Sequence, residues 1–334
     1  MLWRIAARPT GRKLTAEDFT RVDDPATEPL GENGVRVRTL LLSCDPAQKG
    51  WMENAGGYAA PTEVGDVMPA FGIAQVIESS APGFKAGDFV EGSIGWRHEG
   101  VLPPRLIERI EASPETLPLH LGALGGTGLT AYFGMLKVGR PFPGDTVVVT
   151  GAAGAVGSVA GQIAKIGGCR VIGIAGGPDK CRWLTDELGF DAAIDYREGD
   201  VGRQLKELAP GGIDVLWDNV GGEILDKLLA RIAMHARVVI CGGIARYEQP
   251  GRPAGPSNYF NIVFKRATMG GFITSDYETE YATARARLAG WVKEGRLIHR
   301  EDMAEGLENA PETLMRLYRG DNVGKLVLKV ADPV

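Results

Sequence analysis

Residues 147–180, VVVTGAAGAVGSVAGQIAKIGGCRVIGIAGGPDK, decide the fold. An apolar run ends in Gly151, a glycine-rich turn follows, a proline-free stretch of helical character comes next, and a second apolar run ends at Gly176-Gly177-Pro178. This order predicts strand, turn, helix and strand, the unit that opens a dinucleotide-binding sheet. The turn reads Ala152-x-Gly154-x-x-Gly157. Gly154 allows a pyrophosphate to approach the backbone, and Gly157 allows the helix to pack against the strand. The free N–H groups at the helix start, around Ala155 and Val156, face the phosphates. Alanine at the first glycine position loosens the match, and the pattern alone is weak. Its place after an apolar strand and before a helix is what gives it weight. The alternative is a tight structural turn that binds nothing.

The end of the second strand points to a particular dinucleotide. An NAD site places Asp or Glu about 20 residues after the glycines, to hold the ribose 2′-hydroxyl. Here the corresponding residue is Ala175, followed by Gly176, Gly177 and Pro178, and Asp179 arrives only in the next helix. Small residues leave room for a 2′-phosphate, and Lys180 and Arg182 supply charge. The expected cofactor is NADP(H), with Lys180 as an ordinary solvated helix lysine the competing reading.

Working outward, TVVVTG, RVIGIAG, AAIDY, DVLWDN, RVVICGG and ATMGGFI alternate with helical stretches near 155–166, 179–189, 200–209, 222–233 and 276–294. Six apolar strands separated by helices imply a doubly wound parallel sheet of Rossmann type. The Pro/Gly-rich segment EQPGRPAGPSNYF interrupts this order before the sixth strand. The first 120 residues read differently: short strands such as GVRVRTLLLS and AFGIAQVIESS, with turns at Pro82-Gly83 and Ala86-Gly87-Asp88, predict a β-rich, barrel-like domain. The tail DNVGKLVLKV reads as a strand that rejoins it. The expected division is residues 1–120 with 298–334, and residues 121–297.

The chain has 334 residues, 44% hydrophobic and 24% charged, with a formal net charge of −5. Its cations are scattered singly, which argues against a nucleic-acid partner or an anionic membrane surface. No apolar run reaches the roughly 18–20 residues of a membrane span. The first residues lack a secretory apolar segment, and Glu17, Asp18, Asp23 and Asp24 come too early for a presequence. Cys44, Cys169, Cys181 and Cys241 are dispersed, as expected of free thiols in a reducing compartment. A cytoplasmic location is the expectation.

A barrel-like first half, an A-x-G-x-x-G Rossmann half and a returning strand resemble the medium-chain dehydrogenase/reductase superfamily. Its zinc alcohol dehydrogenases take a metal-ligating Cys from an early strand and a His-Glu pair one segment later. Cys44 in LLSCDPAQKGWM is the nearest match to the first, but VMPAFGIAQVIES carries no His or Glu where the second belongs. His98, His120, His235 and His299 stand in unrelated contexts. Tetrahedral zinc needs such ligands, so no metal is expected, and Cys44 reads as a buried thiol. The segments ARPTGRKLTAEDF, LLSCDPAQKGWM, GLTAYFGML, LGFDAAIDY, DNVGGEILD, ICGGIARY, NYFNIVFKR and NVGKLVLKV resemble the zinc-free branch of leukotriene B4 12-hydroxydehydrogenases, prostaglandin and curcumin reductases and plant double-bond reductases.

That resemblance implies a GroES-like β-barrel catalytic domain plus a Rossmann domain, an NADPH-dependent reduction of the C=C bond of α,β-unsaturated ketones or aldehydes, and a homodimer. It implies cofactor contacts from Gly154, Ala155, Val156 and Gly157, from Lys180 at the 2′-phosphate and Tyr196 on the adenosine side, and from Asn219. Further contacts come from the loop Cys241, Gly242, Gly243, Ile244 to Tyr247, from Phe272, Ile273 and Thr274, and from Asn322 in the tail. Tyr259 is the expected catalytic residue, a hydrogen-bond or proton donor to the enolate oxygen, against the reading of a packed interdomain tyrosine. Trp51 and Tyr58 are candidates for the substrate side. One departure stands out: Gly126-Thr127-Gly128 occupies the place where the family often has Met-Pro-Gly. The rival functions are an NADPH:quinone oxidoreductase and a non-catalytic NADPH-binding protein.

Overall fold

In the computed structural model, which describes residues 1–25, 28–54, 61–247 and 254–334, the alternating stretch near residue 35 becomes a nine-residue strand. It follows two short strands, β1 (Leu2–Ile5) and β2 (Phe19–Val22), that pair antiparallel. Strand β3 (Val35–Ser43) leads to helix α1 (Ala47–Glu53), then to β4 (Phe71–Ser79), β5 (Phe89–Ser93), β6 (Glu99–Leu102) and β7 (Ile107–Ile110). One side of β3 pairs antiparallel with β4, and its first residues pair with β6. The β3–β4 ladder shifts register between Arg36 and Val37 and between Thr39 and Leu41. Such irregularities bend a strand and sharpen its twist. The core beside this sheet includes Val35, Val37, Leu42, Met52, Met68, Ile94 and Trp96, with Trp96 stacked on Phe19 at 5.1 Å.

The second unit opens with helix α2 (Gly126–Phe133), then runs β8 (Thr146–Thr150), α3 (Ala155–Ile166), β9 (Arg170–Ala175), α4 (Pro178–Arg182) and β10 (Ala192–Asp195). It continues through α5 (Val201–Leu208), β11 (Ile213–Asp218), α6 (Gly222–Leu229), β12 (Ile232–Ile240), α7 (Asn261–Phe264), β13 (Thr268–Gly271) and α8 (Tyr281–Lys293). The strands form one sheet in the order β10-β9-β8-β11-β12-β13, every neighbouring pair parallel. The near-continuous apolar runs of β8, β9 and β11 are buried, as expected of strands covered on both faces. The strand order reverses between β8 and β11, and the crevice outside their carboxyl ends is where open α/β sheets bind ligands.

The tail supplies β14 (Glu301–Glu305), α9 (Ala310–Arg319) and β15 (Lys325–Lys329). Strand β15 pairs antiparallel with the last residues of β3 and parallel with β14. The tail therefore returns to the first sheet. The chain forms two compact units, Met1–Leu121 with Glu301–Val334, and Gly122–Arg300.

Several elements depart from expectation. The helix read at 222–233 stops at Leu229, because Ile232, Ala236 and Val238 are needed in the core under β12. The helix read from 276 begins at Tyr281, after a tighter turn with a kink at Tyr277. The helix read at 179–189 is a short α4 followed by a wider turn over Trp183–Glu187. Helices α2 and α9 were not read at all. Three glycines near its start disguise α2, and Pro311 in the first turn of α9 breaks the apolar rhythm, although proline is well tolerated there.

Candidate dinucleotide site

The glycine turn joins β8 to α3. Gly151 has φ +58°, the left-handed region in which glycine is at no disadvantage. The tight-turn role thus belongs to Gly151, one residue before the Ala152 that the sequence reading set against the first glycine. The mismatch arose from spacing alone, and Ala152 and Ala153 are buried beneath the turn. Gly154 is the N-cap of α3 and offers no side chain. A Cβ there would meet Gly151 O at 3.2 Å and nothing else within 4 Å, so apart from that oxygen the backbone is uncovered. A Cβ on Gly157 would lie 2.4 Å from Gly151 O and 2.9 Å from Ala152 Cα, so helix and turn meet too closely for any larger residue. The first intrahelical bond runs from Ser158 N to Gly154 O. The amides of Ala155, Val156 and Gly157 lie before it, at the positive end of the helix, as an anion requires.

Across the switch point, β11 ends in Asp218-Asn219. Asp218 is fully buried and accepts from Thr150 Oγ1 at 2.7 Å, Gly221 N at 2.9 Å and Val220 N at 3.2 Å. Burial pushes its carboxyl above the ordinary value, against the pull of these three donors. Asn219 donates through Nδ2 to Thr150 O at 2.7 Å, accepts at Oδ1 from Trp217 Nε1 at 3.1 Å, and its backbone N donates to Thr150 Oγ1 at 2.9 Å. The Thr150–Asp218–Asn219 cluster therefore clamps the ends of β8 and β11. Thr150 and Asp218 were absent from the sequence-derived site; a Thr ending one strand and an Asp ending the strand beside it are the signal that would have found them.

The loop after β12 is laced to the same place. Cys241 N and Gly242 N donate to Asp218 O, Ile244 N to Asn219 O, and Ala245 N to Val220 O. A Cβ on Gly242 would come within 3.3 Å of Asn219 O. Burial, with the Asp218 carboxylate adding to it, pushes the Cys241 thiol up to about 12. Tyr247 closes this turn through its N–H to Ile244 O. After β13, Phe272 packs edge-on against Trp217 at 6.1 Å, and Thr274 Oγ1 lies 2.9 Å from Thr130 Oγ1 on α2. The departure at Gly126-Thr127-Gly128 forms the first turn of α2. Thr127 Oγ1 donates to Gly122 O at 2.8 Å, and a Cβ on Gly128 would collide with Ala123 O.

At the far side of β8, Lys180 sits half-buried on α4 and Tyr196 half-exposed just past β10. Arg182, the second cation expected there, is paired with Asp179 on the same helix. The structure thus gathers Gly154–Gly157, Asn219 and the 241–247 loop at the switch point, and Lys180 and Tyr196 at the ends of the flanking strands.

The remaining candidates lie elsewhere. Tyr259 is 59% exposed on a turn, Ser257–Phe260, held to α6 by Asp226, which accepts from Ser257 Oγ at 2.5 Å and Asn258 N at 2.6 Å. Its ring packs edge-on against Phe260. Asn322 belongs to the other unit and donates to Gly324 O at 3.0 Å. Trp51 lies on α1 of that unit against Phe71, and its buried indole N–H has no partner among the described residues. Tyr58 lies outside the described residues. Among those described, no group of three or more His, Cys, Asp or Glu side chains is arranged to hold a metal ion. Cys44 is buried, and that burial pushes its thiol up to about 12 despite nearby Lys325.

Comparison with known proteins agrees with this architecture. A family model described as the N-terminal domain of oxidoreductase matches residues 2–110, and one described as zinc-binding dehydrogenase matches residues 155–290. The NADPH-dependent curcumin reductase of Escherichia coli is 38% identical over 334 residues, covering 98% of this chain and 96% of the relative. The NADP(+)-dependent 2-alkenal reductase of Nicotiana tabacum is 38% identical over 306 residues, covering 91% and 89%. The crystal structure of CurA in complex with NADPH from Vibrio vulnificus matches with a TM-score of 0.92 at 37% identity, covering 99% of each chain. The chain belongs to the medium-chain dehydrogenase/reductase family, in the zinc-free branch that holds the curcumin, 2-alkenal and prostaglandin reductases.

Proposed function

We propose that this protein is an NADPH-dependent reductase that saturates the C=C bond of α,β-unsaturated ketones and aldehydes. The observation that carries the cofactor half is the switch point: a Gly154 backbone uncovered by any side chain at the start of α3, with no acidic residue in the stretch Ala175 to Pro178 that ends β9. Gly154, Ala155, Val156 and Gly157 would hold the pyrophosphate, Lys180 and Tyr196 the adenosine side, and Asn219, the Cys241–Tyr247 loop and Phe272–Thr274 the other half, with Asn322 a further contact. Bound there, the cofactor supplies hydride donation. The substrates for which the curcumin and 2-alkenal reductases are named, an enone and an enal, support a conjugated carbonyl as acceptor.

The chain's own contribution to such a reduction is to exclude water, orient the acceptor and stabilise charge on its carbonyl oxygen, which is usually the largest catalytic term. Tyr259 is the proposed donor to that oxygen, and Trp51 and Tyr58 are proposed to line the substrate side. No metal is assigned a part. Solved quinone oxidoreductases share the fold at 20–24% identity, which bears on fold alone.

We also propose a homodimer in the cytoplasm. Strand β13 is the edge of the parallel sheet, and Phe260, Val263 and Phe264 just before it are exposed. An edge strand with an apolar flank is a surface that a second copy would cover. Among the described residues no helix is long and apolar enough to cross a membrane.

The deciding experiment follows NADPH consumption across enals, enones and quinones and identifies the products. Saturated carbonyl products confirm the reading. Hydroquinones alone make it a quinone reductase, allylic alcohols make it a carbonyl reductase, and tight NADPH binding without turnover makes it a binding protein.

A further inference from the structure

Arg197 stands at the end of β10 and was part of no sequence-derived site. Its side chain crosses back over the end of β9. A Cβ on Gly176 would lie 2.9 Å from Arg197 Nε and 2.9 Å from the Tyr196 ring, and one on Gly177 would lie 3.8 Å from an Arg197 terminal nitrogen. The two strand ends are stapled by Asp195, whose Oδ1 accepts from Gly177 N and Arg197 N, both at 2.9 Å. Tyr196 N donates to Ala175 O at 3.1 Å. The guanidinium carbon stands 5.9 Å from the Tyr196 ring centroid, within range of a cation–π contact. Among the described residues no carboxylate lies within ion-pair distance of Arg197, whereas Arg182 is engaged by Asp179.

We infer that Arg197 is a specificity-determining residue, a second cation beside Lys180 that recognises the 2′-phosphate of the cofactor. The inference rests on the NADPH reading above. The segment Ala175–Gly177 is where a dinucleotide site discriminates a ribose hydroxyl from a phosphate, and an arginine there is suited to the phosphate. A guanidinium offers several N–H donors in a fixed plane, matched to phosphate oxygens, and the aromatic ring beside it limits the rotamers it must give up on binding. Gly176 is small because the ring and guanidinium occupy the space a side chain would fill. Asp195 is the competing group: its carboxylate would favour a 2′-hydroxyl over a phosphate.

The test is equilibrium binding of NADPH, NADH and 2′,5′-ADP to the wild type, Arg197→Ala, Arg197→Lys and Gly176→Ala, each checked for folding by thermal unfolding. The expected result is a wild type that prefers NADPH. Arg197→Ala should weaken NADPH and 2′,5′-ADP by about ten- to hundred-fold, the range of a charge-assisted hydrogen bond. NADH should change by less than about twofold, and Arg197→Lys should recover part of the loss. Gly176→Ala, which displaces the same two side chains, should lower the preference in the same direction. A wild type that prefers NADPH, with Arg197→Ala leaving NADPH binding intact or lowering both nucleotides equally, overturns the role of Arg197 alone. A wild type that prefers NADH overturns the cofactor reading and this inference with it.

Discussion

Gly154 and Gly157 belong to one motif but answer to different forces. Gly157 is required by packing, since a methyl group would press on Gly151 O and Ala152 Cα. Gly157→Ala should lower unfolding stability by about 1–3 kcal/mol, the scale of overpacking, read as a shift in the urea midpoint. Gly154 has one close neighbour, Gly151 O at 3.2 Å from an added Cβ, and nothing else within 4 Å. Gly154→Ala should lower that midpoint less than Gly157→Ala does yet weaken NADPH binding, because the methyl group stands where the phosphate approaches. If both variants lose stability equally, the uncovered backbone of Gly154 is not a binding surface. Tyr259 is the second residue to test. Tyr259→Phe should lower single-turnover reduction of an enone by roughly 10²–10³-fold with NADPH affinity preserved, as expected for one donor aimed at developing charge. Tyr259 is 59% exposed, and the turn that carries it is held to α6 through Asp226. A wild-type rate would remove it from the mechanism.

Among elements, the ends of β8 and β11 matter most. Their shared cluster leaves three donors, Thr150 Oγ1, Gly221 N and Val220 N, converging on one buried carboxylate. Asp218→Ala strands all three, and an unsatisfied buried group costs about 1–3 kcal/mol. The variant should lose at least that much stability in urea unfolding and bind NADPH more weakly as the Val220–Gly222 turn loosens. An unchanged midpoint would mean that the turn holds itself. The same elements show what a sequence makes legible. The apolar runs of β8, β9 and β11 announce buried parallel strands. Helix α2 stayed hidden because its glycines are demanded by neighbours: Gly128 by Ala123 O, and Gly134 just after it by Phe272 and Trp217. The partners of Gly134 lie more than 80 residues away and leave no local signal, whereas that of Gly128 lies five residues before it.

At the scale of the whole molecule, two expectations concern metal and assembly. The family model matching residues 155–290 is described as a zinc-binding dehydrogenase, yet among the described residues no group of three or more His, Cys, Asp or Glu side chains is arranged to hold a metal ion. Activity should survive exhaustive chelation, and metal analysis of the active protein should find no stoichiometric zinc; stoichiometric zinc that is lost together with activity would reverse the assignment. The β13 edge and its apolar flank predict a dimer by light scattering, with Val263→Glu or Phe264→Glu shifting it toward monomer. A wild type that is monomeric at micromolar concentration would leave that surface for another role.

The sequence by itself determined the strand–turn–helix unit, the parallel sheet, the absence of an acid after β9 and the returning strand within 321–330. These follow from periodicity and from residues close in the chain, where the pattern and the contact are the same thing. Tertiary structure decided which glycine makes the tight turn, that Thr150 and Asp218 clamp the switch point, that Arg182 is spent on Asp179, and that Arg197 reaches back over Gly176. The Thr150–Asp218 clamp and the reach of Arg197 depend on two strands lying side by side in a particular order, whereas the Gly151 turn and the Arg182–Asp179 pair are local conformations with no sequence pattern to announce them. Residues 20 to 70 positions apart become neighbours only when the hydrophobic burial of a whole sheet fixes that order.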